Sequence, residues 1–367
     1  MIIKSLARTV SLRSTGICVA GLIVAATVII SPAGPALGAS PRFKVIATVN
    51  VRVNPFGETL APDGRTVWIA NSGVSPETAA PLTGLGHTVT VLNERTFAIQ
   101  SVINVGKFPE EITFSRGGRQ AFVTNSTSGT VSVINTAKRS VRQTVRLSAI
   151  PMTFPYGIIA APRNGKVFVT SVGGASAKTV AVLCDKNPAA VTICDTIKVP
   201  RFTGGTALTP DGKVLVITRG RGDNGPPEVT LINPATDRII GDLSLRRGGA
   251  AQTVAITPNG KFAYSAIYGG PGGVWVINLA SRKTVKVIPT PDKGMIGTAV
   301  SPNGRFVIAT DFTLGEVSII STATQAIVAT VPVGKMPNGV VFSADGRRAF
   351  VANQGATTIS VISFPAG

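Results

Sequence analysis

A single histidine and a few carboxylates are the residues of this sequence that could do acid–base chemistry. His87 is the only histidine, and it stands at the end of the long segment 72–87, which is rich in Gly, Ser and Pro. An imidazole titrates near neutral pH and is suited to proton transfer. Glu111 is a second candidate. One imidazole in a Gly-rich loop is more often a plain surface residue, so the favoured prediction is a chain without catalytic residues.

Four carboxylates raise the question of a metal site: Glu58, Glu110, Glu111 and Asp311. Their oxygens, together with Asn carbonyls, would suit a hard cation such as Ca²⁺ or Mg²⁺. Glu58, Glu111 and Asp311 are the candidate ligands. No fixed ligand spacing supports them, so we expect no cofactor and keep the cation as the alternative. The sequence also lacks a nucleophile elbow, a phosphate loop and a Cys/His cluster, which argues against an ordinary hydrolase.

The N-terminal segment differs in kind from the rest of the chain. Lys4, Arg8 and Arg13 precede an apolar run at 17–30, and small residues and prolines follow at 31–40. This order is typical of a secretory signal peptide, which we place at residues 1–39. The run is shorter than a membrane span of about 20 residues, although an uncleaved anchor remains the alternative. We therefore expect an exported protein that is periplasmic, extracellular or associated with the cell envelope and has no transmembrane span after cleavage.

Two cysteines, Cys184 and Cys194, lie beyond this segment. In an oxidising compartment such a pair predicts one disulfide. Because no histidine stands near them, a structural staple across a hairpin is favoured over a metal site.

The chain is strongly basic, with a formal net charge of +19 at pH 7. Such a protein attracts polyanions, which include nucleic acid and acidic envelope polymers. The basic residues are spread over the whole chain and form no run of five or more. The charge alone therefore leaves solubility as the other explanation.

A repeat with seven copies determines the predicted fold. In each copy a short apolar strand runs into a tight turn, and the turn glycines lie 42 to 54 residues apart. Dipeptides of the Asp-Gly or Asn-Gly type supply the positive φ of a hairpin turn. The seven turns are Asp63-Gly64, Gly117-Gly118, Asn164-Gly165, Asp211-Gly212, Asn259-Gly260, Asn303-Gly304 and Asp345-Gly346.

Each copy holds four short apolar strands, the pattern of one propeller blade. We predict an all-β fold, a seven-bladed β-propeller with four antiparallel strands per blade, which forms a single domain over residues 40–367. The seventh copy stops after its third strand, while an additional strand, 43–49, precedes the first copy. We expect this N-terminal strand to join the C-terminal blade and close the ring.

Short sequences within the copies resemble a known repeat family. Phe122-Val123-Thr124-Asn125 differs from Tyr-Val-Thr-Asn by one hydroxyl group, and 350–353 and 68–71 are further variants. The chain resembles the YVTN β-propeller repeat family, which includes YncE-like secreted or periplasmic proteins. The resemblance implies the propeller fold over about 43–363. It leaves scaffold, surface-layer, lactonase and lyase functions open.

Alignment of the copies on their turns places a set of polar residues at the channel mouth, where propellers usually bind ligands. We predict a ligand site on the face of the inter-blade loops. Its candidate residues are Glu58, Glu110, Tyr156, Arg219, Gln252, Asp311, Asn338 and Asn353.

The favoured function is a monomeric, non-catalytic binding scaffold for a protein partner or a polyanion. The alternatives are a divalent-metal-dependent lactonase or lyase, and a structural component of the cell envelope.

Overall fold

All the regular secondary structure of the described residues is β-strand. The structure, a computed structural model, describes residues 43–365 except 52, 74–85, 151, 153, 173–177, 188–189, 201, 221–227 and 245–247. The predicted signal peptide lies outside these residues. Within them, no helix is long and apolar enough to cross a bilayer.

The strands form seven antiparallel sheets of four, which confirms the predicted seven blades. In each blade the strands are named inner, second, third and outer, in order from the channel axis. Blade 1 consists of β2 (Pro55–Leu60), β3 (Thr66–Asn71), β4 (Thr88–Asn93) and β5 (Ile99–Asn104). Blade 2 consists of β6 (Pro109–Phe114), β7 (Gln120–Asn125), β8 (Thr130–Asn135) and β9 (Ser140–Arg146). Blade 3 consists of β10 (Pro155–Ala160), β11 (Lys166–Ser171), β12 (Thr179–Asn187) and β13 (Ala190–Lys198).

The remaining blades follow the same order. Blade 4 consists of β14 (Thr203–Leu208), β15 (Leu215–Arg219), β16 (Glu228–Asn233) and β17 (Arg238–Ser244). Blade 5 consists of β18 (Ala250–Ile256), β19 (Phe262–Tyr268), β20 (Val274–Asn278) and β21 (Lys283–Ile288). Blade 6 consists of β22 (Met295–Val300), β23 (Phe306–Asp311), β24 (Glu316–Ser321) and β25 (Ala326–Pro332). Blade 7 has β26 (Pro337–Phe342), β27 (Arg348–Asn353), β28 (Thr358–Ser363) and, as its outer strand, β1 (Lys44–Asn50).

The outer strand of blade 7 comes from the start of the described chain. β1 pairs antiparallel with β28, from Lys44 opposite Ser363 to Asn50 opposite Thr358. Each inner strand contacts the inner strands of both neighbouring blades, including β26 with β2. The two ends of the described chain therefore share one sheet, and the edge of β28 is paired instead of open to other chains.

The hydrophobic core lies between the blades. One cluster combines Phe168 and Val182 of blade 3 with Leu215 and Ile217 of blade 4, and similar clusters fill other seams. The second and third strands read as continuous apolar runs because both faces of these strands are covered by neighbouring blades. The outer strands alternate between exposed and buried residues, as in β9. Truncation to alanine of a buried aromatic side chain such as Phe168 lowers the free energy of unfolding by about 3–5 kcal/mol.

The turns between inner and second strands adopt the conformation that their glycines predict. Gly64 and Gly212 have φ values of 69° and 68°. The preceding Asp63 and Asp211 accept hydrogen bonds at 2.9 and 3.0 Å from the backbone N–H groups two residues ahead. This Asx geometry replaces backbone hydrogen bonds that the tight turn cannot form.

The predicted disulfide is confirmed. Cys184 in β12 and Cys194 in β13 are joined across the hairpin of blade 3, with their Cα atoms 5.8 Å apart. The bridge closes a short loop in the blade with the longest strands.

We expect replacement of both cysteines by serine to lower the free energy of unfolding by about 2–3 kcal/mol, because the open chain gains conformational entropy when unfolded. Urea unfolding of the oxidised protein and the double variant checks this. The reduced wild-type protein is the control and should match the variant; equal stability of all three forms would contradict the prediction.

Candidate functional site

The seven inner strands line a central cavity of about 120 Å³. The lining comes from the third and fourth residues of these strands, or from the fourth and fifth in β18, and most of it is glycine, threonine or aliphatic. The lining residues are Glu58, Glu111, Gly157, Ile158, Gly205, Thr206, Thr253, Val254, Gly297, Thr298, Gly339 and Val340. The two glutamates are the charged members of this set.

A threonine hydroxyl links neighbouring blades beside the cavity. Every inner strand has an irregular register near its start, and such a bulge leaves a carbonyl outside the ladder. The hydroxyl of Thr170 on β11 donates to the carbonyl of Gly204 in the next blade at 2.6 Å. Equivalent bonds join Thr124 to Tyr156, Thr218 to Gln252, Thr310 to Asn338 and, from an inner strand, Thr253 to Ile296.

Two seams on one side of the ring are built differently. At the threonine position, blades 7 and 1 carry Ala352 and Ala70, so a hydroxyl is missing where the carbonyls of Phe56 and Glu110 arrive. These are the seams that hold the carboxylates. A Cβ atom placed on Gly339 would overlap with Oε2 of Glu58 and would lie 2.8 Å from the carbonyl oxygen of Phe56.

The second carboxylate has a similar environment. A Cβ on Gly57 would lie 2.9 Å from Oε2 of Glu111 and would also collide with the carbonyl of Glu110. Glycine at these two positions therefore provides the space that the carboxylates occupy.

Glu58 occupies a position that other blades fill with packing residues. The same place in the inner strand is Ile112, Ile158, Val254 or Val340 in four other blades and threonine in the remaining two. Glu58 is 8% exposed, and neither of its carboxylate oxygens forms a hydrogen bond of normal geometry among the described residues; the Ala352 backbone N–H is a nearby donor. Burial raises the pKa of Glu58 well above its ordinary value of 4.5, the negative charge of Glu111 raises it further, and the Ala352 backbone lowers it in part.

Four of the residues predicted at the channel mouth are buried in the structure. Glu110, Tyr156, Gln252 and Asn338 are each less than 5% exposed. The ring of Phe56 packs edge-on at 6.0 Å from that of Tyr156, so aromatic side chains from blades 1 and 3 meet here. The role of the four residues in ligand binding stays a prediction.

Two of the predicted site residues have partners within their own blades. Arg219 is 2% exposed and forms ion pairs with Glu228 at 3.0 Å and Asp242 at 2.6 Å. Asp311 accepts hydrogen bonds from the N–H groups of Thr313 and Leu314 at 3.1 and 3.0 Å. These contacts hold both side chains in place within their blades, and their role in ligand binding stays a prediction.

Asn353 shows why asparagine ends several second strands. Its Nδ2 donates at 3.0 Å to the hydroxyls of Thr358 and Ser360 on β28, and its Oδ1 accepts from Gly334 N. Asn71 and Asn125 donate to hydroxyls on their third strands in the same way. Asn353 thus ties two strands to the inter-blade link, and Asn71 and Asn125 tie the second strand to the third in their own blades.

The three candidate metal ligands are only partly brought together. Glu58 and Glu111 line the same cavity. Asp311 is absent from that lining, and burial and the charge of Asp292 raise its pKa. Among the residues that the structure describes, no group of three or more His, Cys, Asp or Glu side chains could hold a metal. His87 is exposed and lies just before β4.

Sequence reasoning missed a ring of basic residues at the turns between inner and second strands. We name it the inner-turn ring. Every turn glycine is followed by a basic residue, and the signal was visible in the seven aligned copies. The seven are Arg65, Arg119, Lys166, Lys213, Lys261, Arg305 and Arg347; all except Lys166 are exposed.

The turns of the inner-turn ring contact one another around the axis. Gly118 packs against Pro62 of the preceding turn, Gly260 against Pro210, and Gly64 of blade 1 against Ala344 of blade 7. All inner strands run in the same direction along the axis, so these turns lie on the face opposite to the inter-blade loops. The basic residues therefore share one face.

The chain is a seven-bladed β-propeller, and comparisons with known proteins agree with this class. It is 28% identical to the seven-bladed beta-propeller protein Rv1057 of Mycobacterium tuberculosis over 354 residues, covering 87% of this chain and 84% of that protein. It is also 28% identical over 120 residues to the uncharacterized protein YwhL of Bacillus subtilis, of which it spans only a quarter (25%). No family model matches the chain.

Solved structures show the same fold. A chain of the hydrazine synthase of Kuenenia stuttgartiensis superposes with a TM-score of 0.73 at 20% identity, covering 91% of this chain and 100% of that one. The β-propeller domain of Cps50 (Swd1) from Myceliophteria thermophila gives 0.68 at 14% identity, with 87% and 100% covered. At these identities the likeness extends to the fold alone.

We expect Thr170→Val to lower the free energy of unfolding by about 1–3 kcal/mol, because valine keeps the shape but leaves two buried groups unpaired. Those groups are the Gly204 carbonyl and the Gly157 N–H, which donates to the Thr170 hydroxyl at 2.9 Å. Chemical denaturation checks this. Thr144→Val on an exposed part of β9 is the control, and an equal effect of both substitutions would contradict a special role for the seam.

The raised pKa of Glu58 predicts a pH dependence of stability in the presence of a chelator. The folded state holds the Glu58 proton more tightly than the unfolded state. This stabilisation is fully present below the ordinary value of 4.5 and is lost as pH rises through the folded pKa. Glu58→Gln should reduce the loss of stability as pH rises, and the variant should be more stable than wild type at neutral pH. Denaturation curves at several pH values check this; parallel pH profiles for the two proteins would refute it.

Proposed function

We propose that this protein is an exported, non-catalytic binding scaffold that holds an acidic polymer on its inner-turn ring. The observation that carries the proposal is the basic residue after the turn glycine in every blade, exposed in six of them. Cationic side chains on one face provide a sequence-independent surface for phosphate or carboxylate chains. The sequence analysis had placed binding on the inter-blade face; the distribution of charge favours the opposite face.

The acidic residues of the seven turns do not offset this charge. The turn loops contain Asp63, Asp211 and Asp345, and each uses a carboxylate oxygen to accept the backbone N–H two residues ahead. The side chains of the basic residues extend beyond these turns. Among the described contacts between a basic residue of the ring and a turn aspartate, the shortest joins Nζ of Lys213 to Oδ2 of Asp211 at 3.7 Å. Both residues are exposed. Such exposed pairs contribute little and leave the cation open to a multivalent anion.

Two clefts between neighbouring blades lie beside the inner-turn ring and are lined in part by further basic residues. One, of about 550 Å³, lies between the turns of blades 1 and 2 and is lined by Arg116 and Arg139, among others. The next, of about 320 Å³, lies between blades 2 and 3 and includes Arg116, Arg163 and Lys166. Arg116 thus borders both clefts. Successive anionic groups of one chain would fit along this path.

The disulfide supports a location outside the cytoplasm. A Cys184–Cys194 bridge persists in an oxidising compartment and is uncommon in the cytosol. The proposed partner is accordingly an acidic polymer of the cell envelope, and the proposed state is a monomer. The resemblance to YVTN-repeat proteins that are secreted or periplasmic agrees with this location.

The test measures binding of long-chain polyphosphate at several salt concentrations. We expect the affinity to fall steeply with salt, because bound cations of the polymer are released. The triple variant Arg65→Ser, Lys261→Ser and Arg347→Ser should bind at least tenfold more weakly and should reduce the slope of log affinity against log salt by about three.

A matched control removes the same charge from the opposite face. Lys107, Lys293 and Lys335 are exposed and lie in the inter-blade links, so their triple replacement by serine should leave most of the affinity. An equal loss in both triple variants would reduce the effect to net charge. Binding that is indifferent to salt would overturn the proposal and favour a protein partner.

A further inference from the structure

The charge inside the central cavity is opposite in sign to that of the protein as a whole. The chain carries a net charge of +19, yet the charged residues among the described lining of the cavity are Glu58 and Glu111. No lysine or arginine is part of that described lining. Two carboxylates that share a confined space need a proton or a cation between them, since both cannot ionise there without a large penalty.

Glu58 is the strongest indication that something binds here. It is buried to more than nine-tenths, it borders the cavity, and neither of its oxygens forms a hydrogen bond of normal geometry with the described residues, although the Ala352 backbone N–H is near enough to lower its pKa in part. Buried polar groups in native proteins nearly always have a partner. A valine or isoleucine at this position would satisfy the fold, as it does in blades 2, 3, 5 and 7. The carboxylate is therefore unexplained by packing.

Backbone oxygens lie close to both carboxylates. The carbonyl of Phe56 and Oε2 of Glu58 both border the place where a Gly339 side chain would begin, and the carbonyl of Glu110 and Oε2 of Glu111 border the same place at Gly57. In five other seams of the described chain, a threonine hydroxyl donates to the corresponding carbonyl.

We propose that Glu58 and Glu111 bind a hard divalent cation, Mg²⁺ or Ca²⁺, at the junction of blades 7, 1 and 2. The donors are all oxygen atoms, which suits these ions and disfavours softer metals. Two carboxylates neutralise a double charge. The cavity of about 120 Å³ has room for a few waters, each of which takes about 30 Å³ in the liquid. The ion thus keeps part of its hydration shell.

The site is independent of the proposed polymer binding. It lies on the channel axis between the inner strands, whereas the inner-turn ring lies on an outer face. Its role is to link the two seams that have alanine in place of threonine. The cation supplies there the positive partner that a hydroxyl proton supplies elsewhere. Loss of the ion should therefore loosen the closure between the first and last blades.

The experiment titrates Mg²⁺ and Ca²⁺ separately into the full protein after removal of metals with a chelator. We expect calorimetry to show one ion bound per chain, and thermal unfolding to shift upwards with the concentration of the ion that binds. Glu58→Gln and Glu111→Gln should each weaken binding at least tenfold and remove most of the thermal shift. Glu316→Gln is the matched control, because Glu316 is a partly buried carboxylate outside the cavity, and it should bind as wild type does.

Other results would overturn the proposal. If neither ion binds at millimolar concentration, while Glu58→Gln stabilises the protein at neutral pH to the same extent with and without the ion, the two carboxylates share a proton instead. If both ions bind equally well to wild type and to the two cavity variants, the site lies elsewhere. Circular dichroism shows whether each variant is folded, and both glutamine substitutions keep the shape of the side chain.

Discussion

The hydrogen bond between a threonine hydroxyl of one blade and a bulged carbonyl of the next is the interaction on which the ring depends. Apolar packing between blades is tolerant of small changes in angle and distance. A hydroxyl held at 2.6 Å from the Gly204 carbonyl is not, because a small displacement would leave two buried polar groups unpaired. This bond, present at five of the seven seams, sets the position of the inner strands relative to each other at those seams. The innermost layer of the propeller is thus polar and directional, and the layers outside it are apolar.

The candidate site arises where this seam pattern is broken. Ala70 and Ala352 remove the hydroxyl at two adjacent seams, and Gly57 and Gly339 leave the adjacent space open. Blade 5 also has alanine at the threonine position, Ala266, but there Thr253 supplies the hydroxyl from the inner strand. The two remaining exceptions have carboxylates instead. A carboxylate is an acceptor unless it is protonated, so it cannot replace a hydroxyl without a further positive partner. The chemistry of the cavity follows from that difference.

The sequence was sufficient for the fold because each level of it agreed with the others. Turn glycines with Asp or Asn, four short apolar runs per copy and an incomplete last copy all lead to seven blades. The Cys184–Cys194 bridge was predicted from the spacing of the two cysteines and from the expectation of export. The site was less accessible. Alignment placed Glu58 and Glu111 near the axis, but it could not show that the rings of Tyr156 and Phe56 pack together, since this depends on side chains from different blades meeting. The ion pairs of Arg219 were also hidden, because Glu228 and Asp242 lie on other strands and become its neighbours only within the folded blade.

The basic inner-turn ring cannot be explained by turn chemistry. Every one of these turns has a glycine with positive φ, and six of the seven place an Asp or Asn acceptor before it, which the hydrogen bonds use. The next position makes no comparable demand on its side chain. A basic residue could serve to neutralise a neighbouring aspartate, yet Lys261 and Arg305 follow turns with Asn259 and Asn303, and Arg119 follows a turn made of two glycines. The positive charge is therefore present whether the acceptor is charged, neutral or missing. A feature that repeats at an unconstrained position, on one exposed face, is better explained by what that face binds than by how the chain folds.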